Sequence, residues 1–375
     1  MQGRGRGFRD QRMTFTLPRR GVLAGVAAAA LLKPFGAGAD SDAQTTPSLA
    51  RIAARGGRYY GAAARFDQIE AERGLGPALA RECAQLTPEI HMKWDAIEWH
   101  AGQHSFEQAD GLVRFAREHG LKVRGHTLLW DQSTPAWAKS KILAGDWSPI
   151  RRHFETMLGR YGDVEEWDVV NEPIDTVGGK GGLRRNCFHR GLGAGYVARA
   201  LREARSLAPT ARLLVNDYGF DYDNPVEEAR RRRFVKLLAD LKAEGAPLDG
   251  VGVQAHLDLS KGPLKPEILE PFFAKIADLG LYAVISELDV KEHDLAAPLA
   301  ERDRRVADQV QQYLDIALAQ PNVRGVVTWG LSDRHSWLSE AGADPINRGL
   351  PYDAGLARKP MYWAMRDSFL RAHDG

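Results

Sequence analysis

Two carboxyls in similar local settings are the residues of this sequence best placed to do chemistry. Glu172 ends the run Glu166-Trp167-Asp168-Val169-Val170-Asn171-Glu172-Pro173, in which an apolar strand leads into an Asn-Glu pair and proline stops it. Glu287 lies 115 residues downstream, where Leu281-Tyr282-Ala283-Val284-Ile285-Ser286 runs into Glu287-Leu288-Asp289. Two carboxyls from separate strand ends can cleave a glycosidic bond, one as acid and the other as nucleophile or base. A lone glutamate after a strand is more often a solvated acid, so its neighbours decide. Asn171 offers an amide to a sugar hydroxyl beside the reacting carbon, a contact that strengthens in an oxocarbenium-like transition state. His256 can reach Glu287 from the adjacent strand. A carboxylate held by such donors stays ionised, whereas a carboxyl in a less polar setting keeps its proton.

Strands that end on functional acids belong to barrels, whose sites form where strands run out into loops. From Tyr59 onward, short apolar runs alternate with amphipathic segments of 11 to 20 residues, the pattern of parallel strands joined by helices. Eight strands are expected near 58–64, 86–92, 121–129, 165–171, 211–217, 250–257, 282–288 and 323–330. Helical periodicity is visible in 106–119, 148–161, 191–207, 227–244, 267–279, 300–319 and 360–371. Eight such units predict an α/β chain folded as a single (β/α)8 TIM barrel rather than an open doubly wound sheet. No Gly-x-Gly-x-x-Gly follows a strand and no phosphate loop occurs, which removes the main support for nucleotide binding.

Polar and aromatic residues gather at the same end of nearly every strand. Glu89, Lys93 and Trp94 follow the second, His126 and Trp130 the third, Asn216-Asp217-Tyr218 the fifth, Gln254-Ala255-His256 the sixth, and Trp329 through Trp337 the eighth. Trp94 reads as core; Trp329 and Trp337 flank a polar loop, and their flat faces suit a pyranose ring. Lys93 is expected to point its ammonium into the cleft as a hydroxyl donor. His126, His256, Glu172 and Glu287 are all possible metal ligands, but no His-x-x-x-His or similar local pair supports a metal site, so none is expected. The basic run Arg230 to Arg233 with Lys236 lies behind Glu227 and Glu228 and reads as a solvated helix face. The glycine-rich stretch Gly178 to Gly195 reads as a mobile loop after the acid strand. Cys83 and Cys187 fit no metal or redox spacing and are expected as free thiols.

Charge is unevenly placed along the 375 residues. Residues 1–39 carry seven Arg and Lys against Asp10 alone, which leaves 44 basic and 48 acidic residues in the rest. A mildly acidic surface without a basic stripe disfavours nucleic acid as a partner. Arg19-Arg20, the apolar run Gly21 to Leu32 and small residues Ala37-Gly38-Ala39 read as a cleavable export signal, possible in twin-arginine form. Residues 40–57 then read as a linker and 58–375 as the catalytic domain, with no membrane span once the signal is removed. The expected product is a monomer in the periplasm or outside the cell.

Several of these motifs together resemble glycoside hydrolase family 10, the endo-β-1,4-xylanases. The resemblance is carried by Thr87-Pro88-Glu89 with Met92-Lys93-Trp94-Asp95, by Arg124-Gly125-His126-Thr127-Leu128-Leu129-Trp130 and by Trp167-Asp168-Val169-Val170-Asn171-Glu172. It continues through Asn216-Asp217-Tyr218, Gly252-Val253-Gln254-Ala255-His256, Ser286-Glu287-Leu288-Asp289, Trp329-Gly330 with Asp333, and Ser336-Trp337, so that it spans about Tyr59 to Leu370. It implies a retaining, cofactor-free hydrolase of xylan or xylo-oligosaccharides, with Glu172 as acid/base, Glu287 as nucleophile and the two carboxyls about 5–5.5 Å apart. It also implies that Lys93, His126, Trp130, Asn171, Gln254, His256, Trp329 and Trp337 line the glycone side, that Glu89 binds substrate, and that Tyr218 serves the aglycone side. Gln254 would meet the sugar 2-hydroxyl and His256 would hold Glu287. One departure stands out: Ile90 replaces an asparagine that the family usually places after Glu89, at the second glycone sugar. A barrel glycosidase acting on another β-1,4-glucan and a binding protein without turnover are the competing readings; retention of both acids in full motif context disfavours the second.

Overall fold

The computed structural model describes residues 47–175, 182–340 and 342–374, so the export signal, residues 40–46 of the expected linker and part of the glycine-rich loop lie outside the described residues. Nine strands are present among them: β1 (Tyr59–Ala64), β2 (Gln85–Pro88), β3 (Lys122–Gly125), β4 (Glu166–Asn171), β5 (Arg212–Asp217), β6 (Gly250–Val253), β7 (His256–Asp258), β8 (Tyr282–Lys291) and β9 (Val323–Thr328). β1 to β6 pair in sequence, β1 also pairs β9, β9 pairs β8, and β8 returns to β6, all in parallel. Eight strands therefore close a ring, the predicted (β/α)8 barrel. β7 stands outside it and pairs only with the outer half of β8, His256 opposite Asp289.

Eight helices return the chain between strands: α1 (Leu75–Glu82), α2 (Glu107–Glu118), α3 (Ser148–Arg160), α4 (Tyr196–Leu207), α5 (Pro225–Ala243), α6 (Pro266–Asp278), α7 (Leu299–Leu318) and, after β9, α8 (Pro360–Asp374). Their apolar faces are buried; in α2, for example, Ala109, Leu112, Val113 and Ala116 face inward. Local chemistry sets their ends. Asn224 caps α5 by accepting from the Glu227 N–H at 3.0 Å, and Pro225 fills the first turn, where a missing N–H costs nothing.

Several expectations need correction. The run 250–257 is not one strand: Ala255 has φ of 57°, which breaks the ladder and separates β6 from β7. The run 191–207 splits into a short helix, Cys187–Leu192, and α4, because Gly193 takes a positive φ between them. Helix α1 is absent from the seven periodic segments, although a first helix is expected around Cys83, the residue that caps its C-terminus. Residues 49–55, read as linker, instead form a helix capped by Ser48, with Leu49, Ile52 and Ala53 buried. On α5, Arg232 and Lys236 do face solvent, but Arg230 and Arg231 are buried, so the basic run is only partly a solvated face.

Barrel interiors are commonly filled by layers of branched apolar side chains. Here the layer at the strand starts is polar. Arg124 is fully buried and donates to Glu166 at 2.6 Å and to both oxygens of Asp168 at 2.6 and 3.1 Å. Tyr59 and Tyr282 donate to Glu166 as well, at 3.1 and 2.8 Å. Gly250 leaves room for the Tyr282 ring: a Cβ there would lie 2.8 Å from it. Upward along β4 the network passes from Asp168 to His126, which it meets at 3.0 Å. A buried ladder of charge thus supports the end of the barrel where the functional residues lie.

Candidate active site

Glu172 follows β4 directly, and its φ of 54° places a non-glycine residue in the left-handed region. Such strain persists only where surrounding structure fixes it, and here the Glu172 N–H donates to the Asn216 carbonyl at 2.7 Å. Glu287 lies within β8 and is 5% exposed. Its Oε1 accepts from Asn216 Nδ2 at 2.7 Å and its Oε2 meets His256 Nε2 at 3.1 Å. The other ring nitrogen of His256 meets Asp289 at 2.8 Å, and Trp337 Nε1 donates to the second oxygen of Asp289 at 2.6 Å.

These surroundings separate the two acids. Burial pushes the Glu172 carboxyl above the usual carboxylate range; nearby Arg184, at 3.4 Å, opposes that shift, and Glu287 adds to it. Burial also pushes Glu287 upward, but the hydrogen bond from His256, the rings of His126 and His256, and the Asn216 amide together hold it below its ordinary value. His256 goes the other way. Burial disfavours its charge, yet Asp289 and Glu287 raise it well above an ordinary imidazole. An acid pushed toward its protonated form beside one held toward its ionised form is the division of labour that glycoside cleavage needs.

Residues 48–368 match the model of glycosyl hydrolase family 10. The chain belongs to that family. Among curated relatives, endo-1,4-beta-xylanase 3 of Hypocrea jecorina is 33% identical over 325 residues, covering 86% of this chain and 85% of that protein. Endo-1,4-beta-xylanase 1 of Humicola insolens is 32% identical over 333 residues, covering 85% and 74%. Among solved structures, xylanase 10B of Thermotoga maritima superposes with a TM-score of 0.78 at 29% identity, over 87% of this chain and 99% of that one. Xylanase 10B of Thermotoga petrophila, solved in complex with xylobiose, gives the same score and identity over 88% and 99%.

Around this family 10 site the amides are oriented by one another. Asn216 donates from Nδ2 to both Asn171 Oδ1, at 2.8 Å, and Glu287, while its own Oδ1 accepts from Ser286 at 2.6 Å. Gln254 also donates to Asn171 Oδ1, at 3.3 Å, so the Asn171 amide nitrogen is left as the group that can donate elsewhere. Gly252 makes the arrangement possible, because a Cβ there would lie 1.9 Å from Asn216 Oδ1. Lys93 Nζ sits 4.7 Å from the centre of the Trp130 ring and 5.8 Å from that of Trp329; burial lowers its pKa, and the charges of Glu287 and Glu89 resist. Trp329 packs edge-on to His126 at 5.2 Å, and Trp337 packs against His256 at the same separation. Glu89 is pushed above the usual carboxylate range by burial, against the pull of Arg65 and Lys93. Tyr218 accepts from Arg184 at 3.1 Å on the Glu172 side.

The structure thus brings together all twelve residues singled out from the sequence. Trp94 is core, as expected, stacked on His153 at 4.4 Å. At the Ile90 departure, His91 approaches Asp67 at 4.0 Å, and its Nδ1 is buried without a partner among the described residues. Three functional residues escaped the sequence reading. Asn216 and Asp289 adjoin expected site residues in Asn216-Asp217-Tyr218 and Glu287-Leu288-Asp289 without a signal of their own, and Arg184 lies within the glycine-rich stretch with no local signal. Both cysteines are free and buried.

Proposed function

We propose that this chain is an exported endo-1,4-β-xylanase that hydrolyses internal β-1,4 bonds of xylan or xylo-oligosaccharides with retention. Glu172 is its acid/base and Glu287 its nucleophile. The observation that carries this reading is the opposite setting of the two acids, one pushed up by burial and the other held down by His256 and Asn216. In the first step Glu287 attacks the anomeric carbon while Glu172 gives its proton to the departing oxygen, and the bonding pair leaves with that oxygen. In the second, Glu172 takes a proton from water, water attacks the anomeric carbon, and Glu287 leaves as carboxylate. Asn171 and Gln254 donate to the 2-hydroxyl, while Glu89, Lys93, His126, Trp130, Trp329 and Trp337 bind the glycone side. Tyr218 receives the aglycone.

The xylan assignment is supported by the names of the curated relatives and by the xylobiose bound to the Thermotoga petrophila enzyme. Residues 1–39 serve as the export signal, and the folded chain acts as a monomer in the periplasm or outside the cell. No described helix is long and apolar enough to cross a membrane, which accords with a chain released after export. The test is xylan hydrolysis by wild type beside Glu287→Ala, with products resolved by length and the first-formed anomer followed by NMR. Internal products of retained configuration from wild type, and none from the variant, are expected. Intact xylan, or an inverted first product, would reject the assignment.

A further inference from the structure

The turn that carries Glu172 is held from behind by a buried ion pair that the reaction itself does not use. Asp217 ends β5 and is fully buried. One oxygen accepts the Ile174 N–H at 2.8 Å; the other accepts the Tyr218 N–H at 2.9 Å and Arg230 Nη2 at 2.5 Å. Arg230, 1% exposed on α5, directs its remaining donors at the same two segments, Nη1 to the Ile174 carbonyl at 3.1 Å and Nε to the Tyr218 carbonyl at 2.8 Å. Its guanidinium also lies 4.3 Å from the centre of the Tyr218 ring. The pair therefore grips both the residue two places after Glu172 and the tyrosine beside it.

We propose that Asp217 and Arg230 are positioning residues, which fix the Glu172-Pro173-Ile174 turn so that Glu172 delivers its proton to the leaving-group oxygen. The proposal rests on the reading of Glu172 as acid/base. It gives the strained φ of Glu172 a cause, since a left-handed residue needs its neighbours held on both sides, by Asn216 before and by this pair after. Burial pushes the Asp217 carboxyl up to about 7 against the pull of Arg230, yet all three groups aimed at it are donors, the set a carboxylate requires. Asp217 is thereby also a negative charge near Glu172.

Charges of both signs surround the acid/base. Glu287 from β8 and Asp217 from β5 are anions; Arg184 from the loop after β4, and Lys93 after β2, are cations. Trp130 and Gln254 face it with N–H groups. Asp217 itself faces Arg230 from α5, Arg184, Glu172 and the Tyr196 phenol of α4. Removing the Asp217 charge favours ionised Glu172, which moves the basic limb of kcat/KM to lower pH. Removing Arg184 moves it to higher pH. A merely structural disturbance has no reason to shift the limb with the sign of the charge removed.

The test compares Asp217→Asn, Arg230→Lys and Arg184→Gln in the full chain, on xylo-oligosaccharides, whose leaving group needs a proton, and on a 2,4-dinitrophenyl xylobioside, whose leaving group does not. Asp217→Asn should lose about tenfold or more on the first substrate and little on the second, with its basic limb lowered. Arg230→Lys keeps the charge but loses the fork, so it should show the same substrate dependence; it serves if Asp217→Asn does not fold. Equal losses on both substrates with an unmoved limb would overturn the proposal. If Glu172→Ala itself shows no dependence on the leaving group, the acid/base reading fails first, a distinct result.

Discussion

Asn216 has one amide group and three partners, and that economy ties the two acids together. Its Nδ2 reaches Asn171 across 45 residues of chain and Glu287 across 71, so this contact exists only once the barrel has closed. His256 is equally committed, with both ring nitrogens facing carboxylates, an arrangement that makes it a cation and a double donor. Its charge keeps Glu287 ionised, and a sign follows for the pH profile. With Glu287 as the proposed nucleophile, activity needs its carboxylate and is lost as pH falls through its folded pKa, which His256 holds down. In His256→Asn the cation is gone, that pKa rises, and the acid limb of kcat/KM moves to higher pH by about one unit, equivalent to about 1.4 kcal/mol. Initial rates from about pH 3 to 7 check this; an unmoved acid limb would remove His256 from the role. At this scale the sequence made the acids legible because each follows an apolar run, although β8 continues past Glu287 to Lys291. The fork that orients them was not legible, because it joins residues from three strands.

β3 and β4 stand or fall together through Arg124. The guanidinium is fully buried between Glu166 and Asp168, and Asp168 in turn holds His126, so a structural charge network leads to the site. Deleting one member of such a network leaves the others charged and unpaired in a dry interior, which costs about 3–5 kcal/mol. Arg124→Met should therefore lower unfolding free energy by about that amount. Arg117→Met, which breaks a pair with Asp163 that is more than half exposed, should cost about 0–1 kcal/mol. Urea titrations of both variants decide the matter; equal losses would mean that burial contributes nothing at Arg124. Elements with strong periodicity were legible: seven expected helices exist, one of them split, and the barrel strands overlap the expected runs, although β2 ends at Pro88 and β3 at Gly125, short of the expected 92 and 129. The break between β6 and β7 was not, since it hinges on Ala255 at positive φ, and alanine carries no signal for that conformation.

The domain is also tied together outside the barrel ring, where the helix Leu49–Arg55 packs beside α8 and α1. Leu49 and Ile52 are buried, and the Leu49 N–H donates to Glu82 at 3.1 Å. Glu82 is itself a hub that accepts from Tyr352, Arg358 and, through its other oxygen, Tyr362 of α8, so the first and last helices of the domain meet at one carboxylate. Seven residues rich in alanine and arginine carry too little periodicity to be read as a helix, and what stabilises them and the adjoining Pro47 is contact with residues 33 and 315 positions away. The linker expectation failed for that physical reason, and it leads to a truncation experiment. A chain starting at Pro47 should match the full domain in thermal stability. One starting at Arg58 loses the burial of two large side chains, about 1.5–3 kcal/mol each, and leaves Glu82 one donor short. Its melting temperature should fall by several degrees while activity at low temperature persists, because the helix does not contact the acids. Equal melting temperatures for the two chains would show that residues 47–57 behave as the linker their composition suggests.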